Sequence, residues 1–183
     1  MKLFFVAFFL LITFSITIAQ NRNVAWAQKV NANTFTNLFK INDSLYRSEQ
    51  PDSLDIDFLK QMGIKSILNF RKHHNDIDFL NSKDFNLYEI EMNAYCIKDK
   101  DVIAALKIVK TAPKPLLFHC KHGSDRTGLI AAMYRMVFQG WTKEQALEEL
   151  KQGNYGFHAI FINIPAYIRN VDVESIKNRV QVD

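Results

Sequence analysis

The stretch Leu116–Met133, LLFHCKHGSDRTGLIAAM, decides the fold. Its apolar start, Leu116 to Phe118, reads as a buried strand, and the segment from Arg126 reads as an apolar helix stopped by Gly140. Only five residues, Lys121 to Asp125, separate Cys120 from Arg126. A turn this short, curling into a helix N-terminus, points backbone N–H groups inward and forms an anion cradle strengthened by the helix dipole. Gly123 relieves the backbone where side-chain bulk would block the curl. Arg126 adds a planar fork that grips two oxygens of a tetrahedral oxyanion. The phosphate-binding set is therefore Lys121, His122, Gly123, Ser124, Asp125 and Arg126. What attracts phosphate also favours a thiolate at Cys120, which stands at the floor of the cradle, placed for in-line attack on phosphorus. His119 is expected to orient the cysteine backbone from behind, and Thr127 to offer its hydroxyl to the sulfur.

Outward from this stretch, strands alternate with helices. FKINDSLYRSEQP predicts a hairpin turning at Asn42–Ser44, and IKSILNF and FNLYEIEM predict two further strands. DSLDIDFLKQMG predicts a helix capped by Asp52 or Ser53, with Leu54, Phe58, Leu59 and Met62 as its apolar stripe and Gly63 as its stop. DVIAALKIVKTAP predicts an amphipathic helix ended by Pro113. Thr142 and Gln145 predict a capping box for the next helix, and a final helix is expected from Pro165. The fold class is α/β, a mainly parallel central sheet flanked by helices. Ligands of such sheets bind outside the carboxyl ends of the strands, where His119 to Arg126 falls.

HCKHGSDRTG resembles the Cys-x5-Arg signature of the protein tyrosine phosphatase superfamily, in its compact dual-specificity branch. SLYRSEQP, HCKHGSDRTGLIAAMYRMVFQGW and ALEEL together resemble the exported bacterial tyrosine phosphatases of that branch, over nearly the whole mature chain. The resemblance implies the compact phosphatase fold, no metal or other cofactor, and hydrolysis of phosphomonoesters through a cysteinyl-phosphate. It implies phosphotyrosine as substrate. Phosphoinositides, other small phosphomonoesters, or a catalytically weak phosphate-binding module are the alternatives.

Such enzymes protonate the leaving oxygen with an Asp on a loop before the cysteine strand. The sequence departs from the pattern there: in NAYCIKDKDVIAAL, Tyr95 stands where the exported branch is expected to carry that Asp. Asp99 matches the position used by other branches and is taken as the acid. Asp99 or Asp101 would otherwise cap the following helix. Cys96, in the same segment, reads either as a partner for a reversible disulfide with Cys120 or as a buried apolar filler. RKHHNDID reads as a solvated loop, since it lacks the spacings of known metal sites. Arg71 at its start either adds positive potential at the cleft or forms a surface salt bridge, and Arg47 reads as structural. Asp125, partly offsetting Lys121, is expected to disfavour highly charged substrates by repulsion.

A chain of 183 residues with net charge +4 suits one domain and an anionic ligand, while scattered Lys and Arg exclude a nucleic-acid stripe. MKLFFVAFFLLITFSITIAQ has the form of a secretory signal, with cleavage after Ala19. The organisation expected is a signal peptide over residues 1–19, an extended lead-in over 20–37 and a phosphatase domain over 38–183. The mature protein is then periplasmic or secreted, and touches a membrane only if the segment stays uncleaved.

Overall fold

The structure is a computed structural model describing residues 22–32, 34–78, 80 and 84–182, so the N-terminal segment read as a secretory signal lies outside the described residues. Six strands, β1 (Gln28–Lys29), β2 (Phe39–Asn42), β3 (Leu45–Ser48), β4 (Ser66–Asn69), β5 (Asn86–Glu89) and β6 (Leu116–His119), form one sheet in the order β1-β2-β3-β6-β4-β5. The β1–β2 and β2–β3 pairs are antiparallel, and β3, β6, β4 and β5 run parallel. Among the described residues six α-helices accompany the sheet, α1 (Ile56–Gln61), α2 (Asp99–Thr111), α3 (Arg126–Gln139), α4 (Lys143–Gln152), α5 (Asn163–Asn170) and α6 (Val173–Gln181).

Strand parity sorts the core into two layers. Leu45, Leu68, Leu116 and Phe118 face a cluster filled by α2 to α6, while Tyr46, Ile67 and Leu117 face a second cluster with Leu59 of α1. Because both faces are covered, β3, β4 and β6 are buried at every position and read as unbroken runs. Ser48 of β3 and Asn69 of β4 both stand opposite His119 of β6, so three parallel strands end together and open onto one crevice.

The local signals hold where they depend on neighbours in sequence. The hairpin forms between β2 and β3, Thr142 and Gln145 make their reciprocal capping box, and Gly140 closes α3 at φ 69°. Asp52 makes a capping box with Asp55, opening a 3₁₀ turn that leads into α1 and leaves Leu54 exposed rather than in the stripe. The terminal segment is two helices. α5 begins at Asn163, so Pro165 sits within its first turn where no N–H is required, and the chain extends at Val171 before Asp172 caps α6 through Ser175 N–H. Neither Asp99 nor Asp101 caps α2: Lys98 is its N-cap, without a side-chain bond, and both carboxylates lie in the first turn.

Candidate active site

The loop from Cys120 to Arg126 divides its backbone by direction. Every carbonyl from Lys121 to Asp125 is engaged. Lys121 O accepts from Gln50 N–H at 3.3 Å, His122 O from Asn37 Nδ2 at 2.7 Å, and Gly123 O from Arg47 Nη2 at 2.7 Å. Ser124 O and Asp125 O accept from Gly128 and Leu129 of α3 at 3.1 and 2.8 Å. The amides of Lys121 to Asp125 donate to no group among the described residues. Five consecutive amides without an internal acceptor, at a turn running into a helix N-terminus, mark a place built for an anion. Asp125, the N-cap of α3, makes no side-chain capping bond, which leaves the helix N-terminus to the same acceptor.

Gly123 adopts φ +71°, and a Cβ there would lie 2.5 Å from Glu49 N and from the carbonyl carbon of Ser48. The loop therefore rests directly on the end of β3. Arg47, 1% exposed, holds it from below, with its guanidinium 3.7 Å from the centroid of the Tyr155 ring. Tyr155 hydroxyl donates to Glu149 Oε1 at 2.9 Å, and Glu149 is gripped by Arg135 Nε and Nη2 at 2.8 and 2.9 Å. Burial alone would push the Glu149 carboxyl up, but the Arg135 hydrogen bonds and charge, with Ala27 N–H, bring it below its ordinary value.

Cys120 is 1% exposed, so a substrate meets it only by entering the loop. His119, fully buried, donates from Nε2 to Asp76 Oδ2 at 2.7 Å, and its Nδ1 lies 3.4 Å from Cys120 O. Asp76 also accepts from Gln50 Nε2 and Asn69 Nδ2 at 3.0 and 3.1 Å. RKHHNDID is thus not wholly a solvated loop. Asp76 turns inward because a buried imidazole needs an acceptor, and Asp76 supplies it from a distance of 43 positions along the chain.

Arg126 extends one arm of its guanidinium to Phe70 O and Met92 O at 3.3 and 3.4 Å, at the ends of the two neighbouring strands. Its Nε and the Thr127 hydroxyl are buried without a partner among the described residues. Two unsatisfied donors beside five free amides are the mark of a ligand site. Arg71 donates to Gln50 Oε1 at 3.2 Å and makes no ion pair among the described residues. Burial, and then the like charge of Arg126, lower its affinity for its proton. Two guanidiniums brought near each other suit an anion between them, so Arg71 contributes potential rather than a surface salt bridge.

Asp99 lies apart from this loop, at the start of α2. Its Oδ1 accepts from Tyr167 hydroxyl at 2.8 Å, and its Oδ2 lies 4.0 Å from Arg179 Nη1. Burial and this hydrogen bond raise the Tyr167 phenol above its ordinary range. A groove of about 460 Å³ runs past Asp99, walled by Tyr95, Cys96, Asn163 and Tyr167. Cys96 is exposed, not a buried filler, and both cysteines are free thiols.

A cysteine under free amides, with an arginine at the following helix N-terminus, is the arrangement that the Cys-x5-Arg resemblance implied. A sequence model of the tyrosine phosphatase family matches residues 32–182. The chain belongs to the tyrosine phosphatase family. It is 35% identical over 161 residues to the dual specificity protein phosphatase TpbA of Pseudomonas aeruginosa, covering 87% of this chain and 72% of that one. The crystal structure of TpbA superposes with a TM-score of 0.80 at 34% identity, covering 88% of this phosphatase and 99% of TpbA. A cysteine-to-serine form of TpbA has been solved in complex with pTyr. The catalytic domain of the PP-IP phosphatase SIW14 from S. cerevisiae is also similar, with TM-score 0.66 and 26% identity over 78% of this chain and 89% of that domain. The α/β fold with its parallel central strands is the fold that these enzymes share.

Sequence reading alone missed Asp76, Tyr155 and His158 as supports of the phosphatase loop. His158 donates from its backbone and its Nδ1 to the Asp125 carboxylate at 3.0 and 2.9 Å. These bonds tie the Asp125 carboxylate, only 5% exposed, to the loop after α4.

Proposed function

We propose that this phosphatase hydrolyses phosphotyrosyl residues of exported proteins through a cysteinyl-phosphate. The observation that carries the reading is the divided loop around Cys120, all carbonyls engaged and five amides free. The phosphoryl oxygens take the amides of Lys121 to Asp125 and the free edge of Arg126, where transition-state charge gathers. Cys120 Sγ attacks phosphorus, an S–P bond forms, and the P–O bond to the leaving group breaks. Asp99, released by Tyr167, takes a proton from solvent and, carried toward the cradle with the start of α2, gives it to that oxygen. Water then attacks phosphorus, Asp99 takes a proton from it, and the S–P bond breaks to release phosphate and restore the thiolate. Thr127 hydroxyl donates to the departing sulfur, and His119 with Asp76 holds the cysteine backbone in place. None of these steps requires a metal.

An aromatic row supports phosphotyrosine as the substrate. The His122 ring lies 5.2 Å from His158, His158 lies 6.3 Å from Phe161, and Phe161 lies 4.9 Å from Tyr95, which is 67% exposed. The row joins the phosphate loop to the Asp99 segment and offers faces on which a substrate ring and its apolar neighbours pack. A second reading, inositol pyrophosphates, draws support from the likeness to SIW14. Export rests on the apolar N-terminal segment and is tested by cell fractionation of the tagged full chain, which should recover the protein outside the cytoplasm.

The deciding experiment compares phosphotyrosyl and phosphoseryl peptides with inositol polyphosphates in EDTA. The phosphotyrosyl peptide should give the highest kcat/KM. Tyr95→Ala should raise KM for it roughly three- to tenfold, the worth of one aromatic contact, while sparing inorganic phosphate affinity. Faster turnover of an inositol polyphosphate, unaffected by Tyr95→Ala, would transfer the assignment to the second reading.

A further inference from the structure

Two side chains of the phosphate loop, His122 and Asp125, meet His158 from the loop after α4. His122 is exposed, and the His158 side chain is 46% exposed beside the buried Asp125 carboxylate. One ligand atom from each of His122, Asp125 and His158 lies within 4.8 Å of the other two. The Asp125 carboxylate lies 2.9 Å from His158 Nδ1, so two of the three donors already meet.

We propose that His122, Asp125 and His158 form a binding site for a zinc-like divalent cation beside the phosphate loop. Two imidazoles and one carboxylate make a borderline donor set, suited to Zn²⁺ and unsuited to Mg²⁺ or Ca²⁺. Tetrahedral ligands about 2.1 Å from zinc stand about 3.4 Å apart, so the cluster must close by a little over 1 Å at its widest. Rotation of the two accessible rings supplies that movement without shifting the loop backbone. His158 either gives up its Nδ1 proton or turns to present Nε2, and water completes the fourth position. The bound ion would bridge the loop after α4 to the phosphate loop, pinning the backbone that bears the free amides. This site plays no part in the chemistry at Cys120.

The test uses the full mature protein with Cys120→Ser and Cys96→Ser, so that no thiolate competes for zinc and no turnover is involved. Zinc titrated against a chromophoric chelator should reveal one tight equivalent. His158→Gln and, separately, His122→Gln should each weaken it at least tenfold. Cobalt(II) should give a tetrahedral visible spectrum in the parent and lose it in His158→Gln. His122 is exposed, so its replacement leaves the fold intact, as the melting curve by circular dichroism should record. Absence of tight zinc binding in the parent, or affinity in either variant equal to the parent's, would overturn the site. Either result leaves the phosphatase reading standing, because no substrate enters the measurement.

Discussion

Replacing Gly123 by alanine probes the contact on which the cradle rests. Two costs add. At φ +71° an L-residue carries a left-handed penalty of about 1–2 kcal/mol. The new Cβ would lie 2.5 Å from Glu49 N, a backbone atom that cannot rotate away, so the loop or the end of β3 must move, at about 1–3 kcal/mol. Gly140 separates the two terms. Its φ is +69°, yet nothing lies within 4 Å of its Cβ position, so Gly140→Ala carries the conformational penalty alone. The loss of unfolded-state freedom on going from Gly to Ala is common to both and cancels. Urea unfolding should therefore place Gly123→Ala roughly 1–5 kcal/mol below the parent, once that gain of about 0.4–1 kcal/mol is subtracted, and about 1–3 kcal/mol below Gly140→Ala. Turnover of an aryl phosphate should fall more than tenfold in Gly123→Ala, because the amides move with the backbone, and stay unchanged in Gly140→Ala. Equal stability and equal turnover in the two variants would refute the claim that the loop lies in contact with β3.

Further outcomes follow from the site and its supports. Asp99→Asn should lower turnover of alkyl phosphates about 10²–10⁴-fold, spare aryl phosphates more, and flatten the fall of kcat/KM at high pH, whereas Asp101→Asn leaves the profile intact. Glu149 binds its proton less readily in the fold than its ordinary value of 4.5, so its pairing stabilises the protein above that pH and the benefit is lost as pH falls below it. Glu149→Gln should accordingly cost about 3 kcal/mol or more in neutral urea titrations, with the gap to the parent narrowing in acid. Asp76→Ala, which strands the buried His119, should lower stability by about 3 kcal/mol and reduce kcat with little change in KM.

The legible parts of this chain were those governed by near neighbours. The strand, turn and helix of Leu116–Met133 are set by an apolar run, Gly123 and the spacing from Cys120 to Arg126, all within one glance of the sequence. The Thr142–Gln145 capping box is equally local. The break between α5 and α6 was also written there, in Asp172 three residues before Ser175, but the apolar period ran across it. The remaining site depends on contacts made across the fold. Arg47 reaches Gly123 O over 76 positions, Asp76 reaches His119 over 43, and His158 reaches Asp125 over 33. No period or short motif encodes such a pairing, since each is decided by which side chain the packed sheet leaves facing which. Tyr95 is the remaining departure: an aromatic residue where the branch is expected to hold its acid, now part of a row that flanks the cradle.

The central claim concerns one bond. Rapid mixing with an excess of aryl phosphate, quenching in acid, and peptide mass mapping should find a single phosphoryl group on the peptide containing Cys120, at near one equivalent per protein, and none in Cys120→Ser. Sustained turnover by Cys120→Ser, or a phosphoryl group found on any other residue, would contradict the account.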